Sequence, residues 1–271
     1  MYSAEKIKEL NEFAKEIRIQ TMEQFVARGF GHLGGSMSIV EILAVLYGAE
    51  MKYDPKNPKW EGRDWFVCSK GHAGPAVYSA LALKGFFPVE ELKTLNQHHT
   101  NLPSHCDRTK TPGIDITTGS LGQGLSVATG VALGHNLFEN ENRVYVIVGD
   151  GEMQEGQNWE AILLAAHRGL NNLTLFVDAN KMQLDGNVED LNNLEDYVAK
   201  FQAFNWNVVR VNGHDVAALG DAVAQAKACE DRPTAIICDT IKGKGVCWAE
   251  GQFCHHIEVS REMADQAIAA M

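Results

Sequence analysis

Between Ser3 and Arg28 apolar residues fall at Ile7, Leu10, Phe13, Ile17 and Met22, and Gly29 follows as a stop, so the pattern predicts one long surface helix. A glycine-rich turn, GFGHLGGSMS, then leads into a second helical stretch, IVEILAVLYGAE, and the two prolines of PKNPKWEGR break the pattern. Beyond it the periodicity changes. Short continuous apolar runs recur at WFVCS, RVYVIVG, LTLFVDA and TAIICDT, with NWNVVRV as a fifth and less apolar one, separated by helix-forming stretches such as NWEAILLAAHRG. Unbroken apolar runs are what strands buried on both faces require. The expected fold is therefore α/β, a doubly wound, mostly parallel sheet with helices on both faces. SREMADQAIAAM reads as a final helix, and with no repeat, linker or low-complexity tract residues 1–271 are expected to form a single domain.

Composition narrows the function classes. With 271 residues and 45 % hydrophobic content the chain can bury a full core, and its net charge of −11 gives no basic surface for a nucleic acid. No apolar run approaches the roughly 18 residues of a membrane span, and the opening MYSAEKIKELNEFAK is amphipathic and charged rather than a signal peptide. A cytoplasmic protein with neither membrane nor nucleic acid as partner is expected. The six cysteines form no CxxC pair and are expected to be reduced thiols, while the spacing of His98, His99, His105 and Cys106 matches no common structural zinc pattern.

The chemistry gathers where strands end. RVYVIV runs into Gly149-Asp150-Gly151-Glu152, which places a carboxylate between two glycines at the carboxyl end of a predicted strand, the edge where open α/β sheets bind ligands. Gly151 and its neighbour Gly149 let the backbone turn tightly against a ligand, and Asp150 offers a hard oxygen. One crossover later LTLFV ends in Asp178-Ala179-Asn180-Lys181-Met182. Magnesium takes oxygen ligands and shares them with phosphates and water, so Asp150 and Asn180 are candidate side-chain metal ligands.

GDGEMQEGQNWEA through VDANKMQLDG resembles the thiamine-diphosphate motif, which opens with Gly-Asp-Gly and closes with an Asn about 30 residues later. In that family the backbone carbonyl two residues past the Asn is a further metal ligand, here that of Met182. GHLGGSMS, SKGHA, TPGIDITTGSLGQGLSVATG and KGKGV resemble transketolases in particular, in the family's order and spacing. The resemblance implies thiamine diphosphate held through Mg2+, or another hard cation such as Ca2+ or Mn2+. It also implies a transferase that moves a two-carbon ketol unit from a ketose, phosphorylated or otherwise anionic, to an aldose.

Carried over by motif, His32 and His72 match active-site histidines, with His72 near the diphosphate, and Gly119, Ser120 and Leu121 match a segment that contacts the cofactor through its backbone. Imidazoles suit a reaction that exchanges protons with sugar hydroxyls near neutral pH. The chain departs from the family twice. Pro103-Ser104-His105-Cys106 stands for Pro-Gly-His-Pro, and Phe253-Cys254-His255-His256 stands for Trp-His-Gly. His105 and His255 are assigned to substrate with His32, and a slip of one residue would place His256 in the last position. Glu155 and Glu160 match glutamates of a subunit interface, although alone they read as solvated helix acids.

The resemblance covers one part of a transketolase. A second, C-terminal subunit carrying the pyrimidine-binding and C-terminal domains is the expected partner, in an assembly with two copies of each chain. Within thiamine-diphosphate enzymes the rivals are 1-deoxyxylulose-phosphate synthesis and oxo-acid decarboxylation. From another class the rival is a non-catalytic binding protein that kept the cofactor fold. The histidine series favours transketolase.

Overall fold

The computed structural model describes residues 1–271. Ten α-helices occur in chain order: α1 (Ala4–Arg28), α2 (Leu33–Met37), α3 (Val40–Val45), α4 (Gly74–Leu83), α5 (Gln123–Leu137), α6 (Gly156–His167), α7 (Val188–Leu191), α8 (Tyr197–Ala203), α9 (Val216–Ala228) and α10 (Arg261–Ala269). The strands are β1 (Phe30–Gly31), β2 (Trp65–Cys68), β3 (Val144–Gly149), β4 (Leu173–Ala179), β5 (Asn207–Asn212), β6 (Thr234–Asp239) and β7 (Ile257–Glu258). No helix is long and apolar enough to cross a membrane.

All five apolar runs become strands of one parallel sheet in the order β2-β3-β4-β6-β5. Every residue of β3 and β4 is buried, and alternation sends Tyr145 and Ile147 into one core layer and Val144, Val146 and Val148 into the other. Each buried Val or Ile contributes roughly 1.5–3 kcal/mol, so the pattern that identified these strands also holds them at the centre of the fold. The register aligns Gly149 with Asp178 and Ala179 with Asp239, which brings the carboxyl ends of β3, β4 and β6 to one edge.

The long first helix has the expected ends. Ser3 Oγ accepts from the Lys6 N–H at 3.2 Å, and Gly29, at φ +90°, donates back to the Phe25 carbonyl at 2.7 Å. Leu10, Ile17, Met22 and Phe25 are fully buried, so one face of α1 belongs to the core.

The GHLGGSMS segment corrects the expectation of a turn, because Leu33–Met37 is helical and wholly buried. Glycine is a poor helix former, yet a Cβ at Gly34 would meet Lys242 Cγ at 2.7 Å and Cys254 Sγ at 2.8 Å, so close tertiary packing overrides propensity here. Just before it, β1 pairs antiparallel with β7, Phe30 against Glu258 and Gly31 against Ile257. This two-residue ribbon joins the first turn of the fold to its last segment.

Candidate active site

At the sheet edge the polar groups are already organised. The Gly151 N–H donates to Asp150 Oδ1 at 2.8 Å, and the Lys181 N–H donates to Oδ2. Asn180 gives its amide hydrogen to Asp178 Oδ2 at 2.7 Å, which fixes which end of the side chain is oxygen, and that oxygen accepts from the Met182 N–H at 3.1 Å. Asp178 is fully buried and bound by Lys70 Nζ at 2.5 Å, Ser38 Oγ at 2.7 Å and Thr240 Oγ1. Burial alone would raise the Asp178 carboxyl, but the Lys70 ammonium and these donors hold it below its ordinary range.

Asp150 is in the opposite condition. Burial, together with the nearby Asp178 charge, pushes it up to about 7 despite its two backbone donors. Glu152 is raised by burial too, although it accepts from Ser69 Oγ at 2.5 Å and from the Gly122 and Gly149 N–H groups at 2.9 and 3.1 Å. Glu152 thereby ties the end of β2, the start of α5 and the end of β3 together.

Facing this edge is a cluster of imidazoles. His32 follows β1 directly and His255 lies just before β7, the turn Gly71–Ala73 before α4 carries His72, and a loop beside buried Cys106 carries His105. Ring centroids lie 5.5 Å apart for His32–His72 and His32–His105, 5.3 Å for His32–His255 and 4.9 Å for His72–His255. Burial lowers all four rings, His32 and His255 to about 4, with Lys70 adding to the shift at His72 and Lys242 and Lys70 adding to it at His255, so the rings are neutral near pH 7. The loop is held by Thr118, whose N–H donates to the Cys106 carbonyl at 3.0 Å and whose hydroxyl donates to the Cys68 carbonyl at 2.7 Å. Gly119, at φ +148°, has the His105 ring 3.1 Å from where a Cβ would stand.

Both groups line one cavity of about 400 Å³. His32, His72, His105, His255, Gly119, Leu121, Asp150, Gly151, Asn180, Met182 and Glu155 are all on its wall. His256 is not; it packs behind His32, with centroids 4.8 Å apart, and against Phe30. Of the two, His255 is the one on the cavity wall. Ser120 and Glu160 are exposed and outside the lining, and no group of three or more His, Cys, Asp or Glu side chains is arranged to hold a metal.

Lys70, Lys242, Glu152 and Gln183 also line the cavity, and no motif reading assigned them a role. Both lysines stand in motifs already quoted, SKGHA and KGKGV, where a lysine reads as a solvated charge. Exposure of only 2 % for each is the opposite of that reading, since a buried ammonium needs a partner.

The sequence matches the transketolase thiamine diphosphate binding domain over residues 10–265. A 6-deoxy-6-sulfo-D-fructose transketolase subunit from Clostridium sp. (strain MSTE9) is 49 % identical over 264 residues, covering 97 % of this chain and 96 % of its own. The chain belongs to the transketolase family. Transketolase 1 of Escherichia coli is 37 % identical over 86 % of this chain, but only 37 % of that protein is covered. A solved Pichia stipitis transketolase variant superposes with a TM-score of 0.91 at 32 % identity, covering 95 % of this chain and 40 % of its own. The chain therefore has the length of a transketolase subunit and spans about 40 % of full-length transketolases.

The residues present fit this family's diphosphate cofactor and a hard cation. Asp150 is a buried carboxylate whose negative charge is opposed by its surroundings, a cost that a bound cation would remove. The Met182 carbonyl already faces a cation, because Lys242 Nζ lies 3.4 Å from it and 3.1 Å from the Gln183 carbonyl. Gln183 Oε1 is buried without a hydrogen-bond partner at the same wall. A Cβ at Gly151 would stand 2.8 Å from Gln183 Cβ, so glycine alone keeps that wall open.

Proposed function

We propose that the chain is the diphosphate- and metal-binding subunit of a two-chain transketolase, completed by a polypeptide that supplies the pyrimidine-binding and C-terminal domains. The observation that carries this reading is the joining, in one cavity, of an oxygen-rich edge (Asp150, Asn180, the Met182 carbonyl) with four neutral histidines. Asp150, Asn180 and the Met182 carbonyl would hold Mg2+ or a similar hard cation. His72, Gly151 and the Gly119-Ser120-Leu121 backbone would receive the diphosphate, with Lys70 and Lys242 supplying positive charge beside it. Thiamine diphosphate, when bound, provides the electron sink that lets a carbon–carbon bond beside a carbonyl break and re-form.

The remaining steps belong to side chains. His32, His105 and His255 bind sugar hydroxyls and hold or pass protons at their ring nitrogens; neutral rings can both accept and donate there. Closure of the rim by the second polypeptide would exclude water from the half-buried cluster, which keeps the two-carbon unit for the acceptor sugar.

A partner is supported by surface left uncovered. Leu121 and Leu184 at the cavity rim are 38 % and 64 % exposed, and Val127, Leu163 and Leu164 on α5 and α6 stand open beside Glu160. With Glu155 at the rim and Glu160 on α6, this side is the proposed subunit interface, in an assembly of two copies of each chain. The donor is proposed to be an anionic ketose. The name of the Clostridium relative makes 6-deoxy-6-sulfo-D-fructose a first sugar to try beside sugar phosphates. A screen of ketose donors and aldose acceptors with the two-chain complex tests the reading: two-carbon transfer is expected, and decarboxylation of oxo acids without transfer would overturn it.

A further inference from the structure

Lys242 reaches the cavity from the loop that follows β6, and the residue before it is held from outside the site. The Ile241 N–H donates to His214 Nε2 at 2.8 Å, while His214 Nδ1 lies 2.9 Å from Glu41 Oε2. An N–H can only donate, so Nε2 must carry its lone pair and the ring proton must sit on Nδ1, facing Glu41. Burial would raise the Glu41 carboxyl, but the His214 bond and the Arg18 charge hold it below its ordinary range, so it stays an acceptor. Arg18 closes the arrangement, pairing with Glu41 and donating from Nε to the Lys244 carbonyl at 3.1 Å.

His214 is itself fixed on both sides. Its N–H donates to Asn212 Oδ1 at 3.0 Å, and Asp215 caps α9 through the Ala217 and Ala218 N–H groups at 2.9 and 3.1 Å. A Cβ at Gly213 would meet Thr240 Cγ2 at 2.4 Å, so the Asn212-Gly213-His214-Asp215 turn lies directly against the start of the loop. Ile241, 39 % exposed, has little burial of its own to hold it.

We infer that His214 is a positioning residue: in its Nδ1-protonated form, and braced by Glu41, it holds the Ile241 backbone so that Lys242 points into the cavity. Its effect on the cofactor rests on the function proposed above, whereas its effect on the loop does not. The two ring nitrogens can be tested separately. In His214→Gln the side-chain oxygen can accept from the Ile241 N–H in place of Nε2. In His214→Asn the amide can donate to Glu41 in place of Nδ1, but nothing reaches Ile241.

Hydrogen exchange of the full chain without cofactor is the direct measurement. Exchange across 240–246 is expected to rise about fivefold in His214→Asn, with the rest of the chain and the melting transition unchanged, and to stay near wild type in His214→Gln. Titration with thiamine diphosphate and Mg2+ should then show the dissociation constant rising by a similar factor in His214→Asn only. Wild-type exchange across the loop in His214→Asn, or a rise spread evenly over the chain, would overturn the assignment. So would equal opening of the loop in both variants.

Discussion

The two ends of the cavity are built on opposite terms. At the sheet edge each buried carboxylate is tied to donors: Asp178 to Lys70, Ser38 and Asn180, Asp150 to the Gly151 and Lys181 N–H groups, and Glu152 to Ser69, Gly122 and Gly149. At the histidine end His32 meets His105 and His255 edge to face while His72 is tilted against His32 and His255, and no hydrogen bond contributes to the shift of any of the four. The first end is a rigid polar cradle with its geometry set in advance. The second is a neutral wall whose ring nitrogens remain available. Binding a charged anchor calls for the first kind of surface, and exchanging protons with a changing set of sugar hydroxyls calls for the second.

Substitutions break this contrast in order of expected effect. Asp150→Ala removes the proposed metal carboxylate and should abolish divalent-dependent binding of thiamine diphosphate by calorimetric titration; unchanged affinity would remove the cradle's assigned role. Lys70→Met leaves Asp178 buried without its cation, and urea unfolding should show a loss of about 3–5 kcal/mol. A loss within error would mean that the edge is held by other contacts. His105→Ala acts on the other end: turnover in the two-chain complex should fall about 100-fold at saturating cofactor while cofactor affinity stays near wild type. A matching fall in affinity would erase the distinction between the ends.

The smallest effect sharpens the comparison through pH. His255 has its pKa lowered from 6.5 to about 4, so between those values the unfolded chain binds a proton that the folded chain refuses. Its contribution to stability is therefore lost as pH falls through that window and levels off below it. His255→Asn should lose about 1–3 °C less in melting temperature than wild type between pH 7 and pH 5. Identical losses would place the charge sensitivity elsewhere.

Local signals made some of this legible in the sequence. Ser3 and Gly29 bound α1 by capping chemistry that acts within one turn, and the apolar runs ending in Gly149-Asp150 and Ala179-Asn180 marked the sheet edge directly. Pairings between distant segments were not legible. Lys70 and Asp178 are 108 residues apart in the chain, so nothing local distinguishes Lys70 from a solvated lysine. The β1 and β7 strands are two residues each, too short to show any period, and only the cavity lining separates His255 from His256. The α2 helix stayed hidden because its glycines are chosen for close packing rather than for helix propensity.

Both ends of the cavity lie on this chain, yet the rim at Leu121 and Leu184 is open, and the proposed enzyme is complete only when a second polypeptide closes it. The decisive measurement is two-carbon transfer, with thiamine diphosphate and Mg2+ present, by the purified chain alone and after mixing with a polypeptide that carries the remaining transketolase domains. Transfer is expected only in the mixture, rising until the two chains are equimolar. Full transfer by this chain as a pure homo-oligomer would contradict the account.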